Sequence, residues 1–100
     1  MRALFLVALL AAAPAAAADR QPAPGRYCAA GVDLPGITIG PGPEVGIDLM
    51  DCPVATISGG RVRAPRCFGM GGAEVSYDTD LVVREDGALE HDDVTFRPCR

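Results

Sequence analysis

After residue 25, apolar and polar residues alternate along most of this chain, and the spacing is rarely helical. No window carries apolar residues at i, i+3, i+4 and i+7 over three turns, and Gly and Pro interrupt most windows. Short strands are therefore expected. Arg26 to Ala30 reads as a first strand, and Ile37-Thr38-Ile39 as a second. Val45, Ile47 and Leu49 alternate with Gly46, Asp48 and Met50, the period of two that suits one half-buried strand. Val54 to Ile57 and Arg61 to Ala64 flank Ser58-Gly59-Gly60, which reads as a hairpin turn. Val75 and Tyr77 alternate in AEVSYD, and Leu81-Val82-Val83 leads into Arg84-Glu85-Asp86-Gly87. Asp-Gly between apolar runs marks a hairpin, because glycine accepts the positive φ the turn demands. Ala88-Leu89 begins the return strand. Val94 and Phe96 lie on a last strand ending at Pro98-Cys99. The expected fold is all-β, an antiparallel meander of about seven short strands forming a small barrel or a two-layer sandwich.

The first residues follow a different pattern. Arg2 precedes an apolar run from Leu4 to Ala13, and Ala16-Ala17-Ala18 fits the small-x-small rule for cleavage before Asp19. The run is shorter than the roughly 20 apolar residues a membrane-spanning helix needs. Residues 1–18 therefore read as a cleaved signal peptide, 19–25 (DRQPAPG) as a flexible lead-in, and 26–100 as one small domain. No transmembrane segment is expected in the mature chain. The anticipated location is the bacterial periplasm or the extracellular space.

Removing the leader takes Arg2 with it and leaves eight arginines against thirteen acids, a net charge of −5. An acidic domain lacks the broad basic footprint that nucleic-acid binding requires, so no nucleic-acid partner is expected. Cys28, Cys52, Cys67 and Cys99 are spaced by 24, 15 and 32 residues, with no CxxC pair. That favours two disulfides over a structural zinc site. Of the three pairings, Cys28–Cys52 with Cys67–Cys99 is the one expected. Its closest rival, Cys52–Cys67 with Cys28–Cys99, would tie the ends of the domain together. Each bridge stabilises by about 2–4 kcal/mol, comparable with the net stability of so small a core.

Little in the chain carries catalytic chemistry. His91, in LEHDDV, is the single histidine. As a base it would need Ser58, Ser76 or Thr79 as nucleophile, yet no GxSxG elbow surrounds either serine. With the cysteines committed to disulfides, no thiol nucleophile remains. No catalytic residue and no cofactor are expected. Glu85, Asp86, Glu90, His91, Asp92 and Asp93 form an acidic patch, in which His91, Asp92 and Asp93 are the first metal ligands to try. The patch matches no EF-hand or HExxH spacing, and acidic turns of strand proteins are commonly just solvated.

Two stretches point outward. In RVRAPRC, alternation puts Arg61 and Arg63 on one face and Val62 and Ala64 on the other, with Arg66 at an edge or bulge after Pro65. Arginine's planar donor fork suits carboxylates, phosphates and sugar acids, so Arg61, Arg63 and Arg66 are the candidate partner-binding residues. The competing reading pairs them with the molecule's own acids, Asp48 or Glu74 for example. The second stretch, GITIGPGPEVGI, holds a semi-rigid loop around Pro41 to Glu44.

A leader followed by a cysteine-stapled all-β domain of under 100 residues resembles bacterial periplasmic lysozyme inhibitors and small exported protease inhibitors in architecture, though no diagnostic motif of either aligns here. The expected function is a non-enzymatic envelope binding module whose rigid β surface engages a protein or an anionic envelope component. The alternatives are an inhibitor of a secreted hydrolase and a metal-binding domain.

Overall fold

The computed structural model describes residues 20–100, so the proposed leader lies outside the described residues. Ten strands form one antiparallel sheet curled into a half-barrel. They are β1 (Gly25–Ala29), β2 (Ile37–Ile39), β3 (Val45–Ile47), β4 (Met50–Cys52), β5 (Thr56–Ser58), β6 (Arg61–Phe68), β7 (Glu74–Asp80), β8 (Val82–Val83), β9 (Leu89–His91) and β10 (Val94–Pro98). Three meanders, β1 to β4, β5 to β7 and β8 to β10, join where β1 pairs with β10 and β4 with β6. Only Leu81 separates β7 from β8, so the chain itself runs between the two ends of the curl.

Alternate residues of each strand point inward, and these fill the core. Ile37, Ile47, Val62, Leu81 and Leu89 are fully buried, with Tyr27, Ile39, Val45 and Phe96 beside them. The hairpin turn at Gly59-Gly60 forms as expected, both glycines taking positive φ (60° and 75°). Among the described residues no helix is long and apolar enough to cross a membrane.

The structure revises three expectations. Val45 to Met50 is not one strand but a hairpin. Asp48 and Leu49 both take left-handed φ (53° and 64°), so the chain reverses and Leu49 is 64% exposed instead of half-buried. The strand starting at Arg61 does not stop before Pro65. It continues to Phe68 through a bulge between Ala64 and Cys67, which relieves the ladder of the missing proline N–H. The disulfides are Cys28–Cys99 and Cys52–Cys67, not the expected pairing. Pairing of β1 with β10 brings Cys28 and Cys99 together, and the contact of β4 with β6 does the same for Cys52 and Cys67. The residues ahead of Gly25 form no strand among those described, and they make hydrogen bonds to the domain. Arg20 donates to the Val83 carbonyl (3.2 Å), Gln21 to that of Ile57 (2.7 Å), and the Tyr27 hydroxyl to that of Ala23 (2.6 Å).

Candidate functional site

Among the described residues, strand β7 contributes to two clusters of polar side chains, one on its outer face and one toward the inside of the curl. Outward, Arg61, Arg63 and Arg66 alternate with the inward Val62, Ala64 and Cys67. Directly across, Arg63 faces Asp78 and Phe68 faces Glu74. The Arg61 guanidinium donates to Asp78 at 2.8 Å, Arg63 approaches the other oxygen of the same carboxylate at 3.4 Å, and Arg66 approaches Glu74 at 3.5 Å. The three candidate arginines therefore share one face and are paired with the protein's own acids. Glu74 is a partner as anticipated; Asp78 takes the place given to Asp48. The Arg61 and Arg63 guanidiniums hold the Asp78 carboxyl below its ordinary range, the hydrogen bond from Arg61 being the main cause. Two arginines on one carboxylate leave cationic donor capacity facing solvent. Shallow grooves lie on either side of Pro65. One, of about 520 Å³, is lined by Thr56, Arg63, Ser76 and Asp78. The other, of about 460 Å³, is lined by Pro53, Val54, Arg66 and Glu74.

The inner cluster centres on His91, which is 6% exposed and shares the inward face of β9 with Leu89. Its Nδ1 lies 2.8 Å from the Asp80 backbone carbonyl and its Nε2 lies 3.0 Å from both carboxylate oxygens of Asp48. The Tyr77 hydroxyl donates to Asp48, and the Asp92 N–H donates to the Asp80 carboxylate (2.9 Å). A carbonyl can only accept, so Nδ1 carries a proton. A carboxylate accepts as well, so Nε2 also carries one when Asp48 is ionised. The ring that satisfies both partners is the imidazolium. Burial pulls the His91 pKa down, but the Asp80 carbonyl and the Asp48 carboxylate outweigh it and the net shift is upward. Burial and the bond to Asp48 push Tyr77 up to about 12. Burial acts to raise the Asp80 carboxyl too, but the Asp92 N–H and the neighbouring His91 outweigh it and leave Asp80 below its ordinary range.

This network closes a seam. Backbone pairing does not link β7 to β9 or to the β3–β4 turn, and side chains do so instead. The sequence marked His91 but not Asp48, Asp80 or Tyr77. Its alternation with Leu89 was the available signal, since period two turns both residues inward. Both ring nitrogens of His91 are engaged, Nδ1 by the Asp80 carbonyl and Nε2 by the Asp48 carboxylate, and none of Ser58, Ser76 and Thr79 is among its partners. Asp92 and Asp93 occupy a tight turn with left-handed φ (53° and 64°) and are exposed, and among the described residues no group of three or more His, Cys, Asp or Glu is arranged to hold a metal. The Pro41–Glu44 loop is exposed but braced. Gly42 N–H donates to the Glu44 carboxylate (2.7 Å), Gly40 N–H to the Glu44 carbonyl (3.0 Å), and Ala55 N–H to the Pro43 carbonyl (2.8 Å).

Compared with known protein families, curated proteins and solved structures, the chain finds no match.

Proposed function

We propose that the protein is an exported, non-enzymatic binding module that engages a protein or an anionic envelope component through the outer face of β5, β6 and β7. The observation that carries this reading is the pair of grooves flanking Pro65, each with an exposed arginine on its wall, beside two arginines that share a single carboxylate. Ion pairs in water exchange partners at little cost, so an incoming carboxylate or phosphate can displace Asp78 or Glu74. Two disulfides within a small strand domain support export and give the face a rigid backing. The test is capture from an envelope extract with the 19–100 domain as bait. Replacing Arg61, Arg63 and Arg66 with serine abolishes capture and leaves the circular dichroism unchanged; capture by the folded triple variant at wild-type level rejects the assignment. Asp78→Asn, which frees two arginines, strengthens capture.

A second reading, inhibition of a secreted hydrolase, draws support from the braced Pro41–Glu44 loop. A loop held by its own hydrogen bonds loses little conformational freedom on entering a cleft. Absence of inhibition across a panel of lysozymes and proteases at micromolar protein removes this reading.

A further inference from the structure

We propose that Arg20 to Pro24 form a detachable strap that closes the gap between the end strands β5 and β8, and that it swings out about Gly25 to bare the apolar mouth beneath it. The strap stands apart from the arginine face, and neither functional reading above depends on it.

The gap follows from the sheet order, which begins at β5 and ends at β8. Among the described residues β5 pairs only with β6, and β8 only with β9, so each has one free edge. Ser58 pairs with Arg61 across the Gly59-Gly60 turn, and the closing pair of such a hairpin exchanges both backbone bonds. Alternation then turns the Ile57 carbonyl to the free edge of β5. On the other strand the Arg84 N–H donates to Ala88, toward β9, so the Val83 carbonyl faces the free edge of β8. Arg20 and Gln21 reach these same two carbonyls. The Arg20 guanidinium donates to Val83 (3.2 Å) and the Gln21 side-chain amide to Ile57 (2.7 Å). Two consecutive residues thus cap an acceptor on each end strand. Pro22 and Pro24 have no N–H, so the segment does not extend either ladder, and side chains make the bridge.

The strap also roofs the thinnest part of the core. Ile57, Val83, Ile39 and Val45 are the least buried members of the main cluster, and all four line the clefts that the strap enters. Arg20 borders the cleft with Ile57 and Val83; Gln21, Pro22 and Pro24 border the one with Ile39, Val45 and Ile57. Proline covers apolar surface with little loss of freedom, since its φ is already fixed. Release has a hinge. Gly25 takes φ 144°, which other residues rarely adopt, and a Cβ there would meet no atom within 4 Å. Pairing of β1 with β2 starts at Gly25, so the strap can leave without breaking that ladder. The bonds to Val83 and Ile57, and that from the Tyr27 hydroxyl to the Ala23 carbonyl, lie outside any ladder. Such a segment opens before the sheet does. Shut, it denies both free edges to another chain. Open, it leaves two edge carbonyls unpaired beside apolar surface, the pattern that recruits a further strand.

The experiment compares the 19–100 chain with its Arg20→Ala/Gln21→Ala variant by backbone amide relaxation, hydrogen exchange, Nile red fluorescence and sedimentation. In the wild type the Gln21 and Ala23 amides are expected to be as ordered as those of β1. In the double variant residues 21 and 23 become mobile, while β1 and β10 keep their protection from exchange. Nile red binding rises by about tenfold, the effect of two lost hydrogen bonds on the open population. The variant associates at concentrations where the wild type is monomeric. Four results overturn the proposal: mobile Gln21 and Ala23 amides in the wild type, a strap that stays ordered in the double variant, no gain in Nile red once it is mobile, or a double variant as monomeric as the wild type. If the double variant does not fold, Gln21→Ala alone, which removes only the tie to Ile57, carries the same readings.

Discussion

Strand β7 supplies acids to two charged clusters, and they are built for different ends. On its outer face Glu74 and Asp78 meet Arg61, Arg63 and Arg66 in water, at 2.8 to 3.5 Å. At the seam, Tyr77 and Asp80 meet Asp48 and a buried His91. The residue chemistry is similar in both. What separates the clusters is the cost of losing a partner. An exposed arginine without its carboxylate is hydrated, whereas a buried ring nitrogen without its acceptor keeps its desolvation penalty. The outer face is therefore free to trade partners, and the seam holds the fold.

The largest effect is expected at the seam. His91→Ala takes the donor from the Asp80 carbonyl, leaves the Asp48 carboxylate with only the Tyr77 hydroxyl and empties space beside Phe96. A loss of about 2–3 kcal/mol of unfolding free energy is expected, read from the urea midpoint and slope. A loss no larger than that of the arginine triple variant would erase the distinction between the clusters.

The next effect is pH dependence. The folded pKa of His91 lies above its ordinary 6.5, so its contribution to stability is whole below 6.5 and disappears as the pH rises through the folded value. Asp80 lies below its ordinary 3.8, so its contribution is present above 3.8 and disappears as the pH falls through the folded value. Stability should therefore peak in the mildly acidic window between them. Urea midpoints across this range test the sign. A wild-type profile that stays flat above 6.5, or a slope that survives in His91→Ala, contradicts the imidazolium bridge.

Tyr77→Phe removes one donor from Asp48 and should cost about 1 kcal/mol, read in the same way. Smallest of all is the stability change on replacing Arg61, Arg63 and Arg66 with serine, expected to move the thermal midpoint by a few degrees at most while abolishing capture. High salt should weaken capture through the outer face and leave the His91 effect in place, because screening reaches exposed charges far more than buried ones.

Much of the fold was legible in the residue pattern. Alternation in RVRA placed Arg61 and Arg63 on one face, and Pro65 marked an edge or a bulge, of which the structure forms the bulge and carries the strand on to Phe68. Gly59-Gly60 and Asp86-Gly87 fell at hairpin turns, closed at the second by the Arg84 N–H donating to the Ala88 carbonyl (2.8 Å). The turn at Asp48-Leu49 escaped notice for a physical reason. It has no glycine, and the alternation of Val45, Ile47 and Leu49 reads through it as one continuous strand. Aspartate tolerates the left-handed region and leucine does so poorly. What holds Asp48 there is its contact with Tyr77, 29 residues away, and with His91, 43 residues away.

Local pattern thus determined the all-β class, the faces of β6 and the glycine turns, since each depends on neighbours within a few residues, while the expected seven or so strands became ten. The disulfide pairing, the partner of each arginine and the seam around His91 were decided by the tertiary structure. They depend on which strands lie side by side. Cys28 meets Cys99 across 71 residues because β1 pairs with β10, a choice made by burial of the whole inward face and invisible in either segment alone.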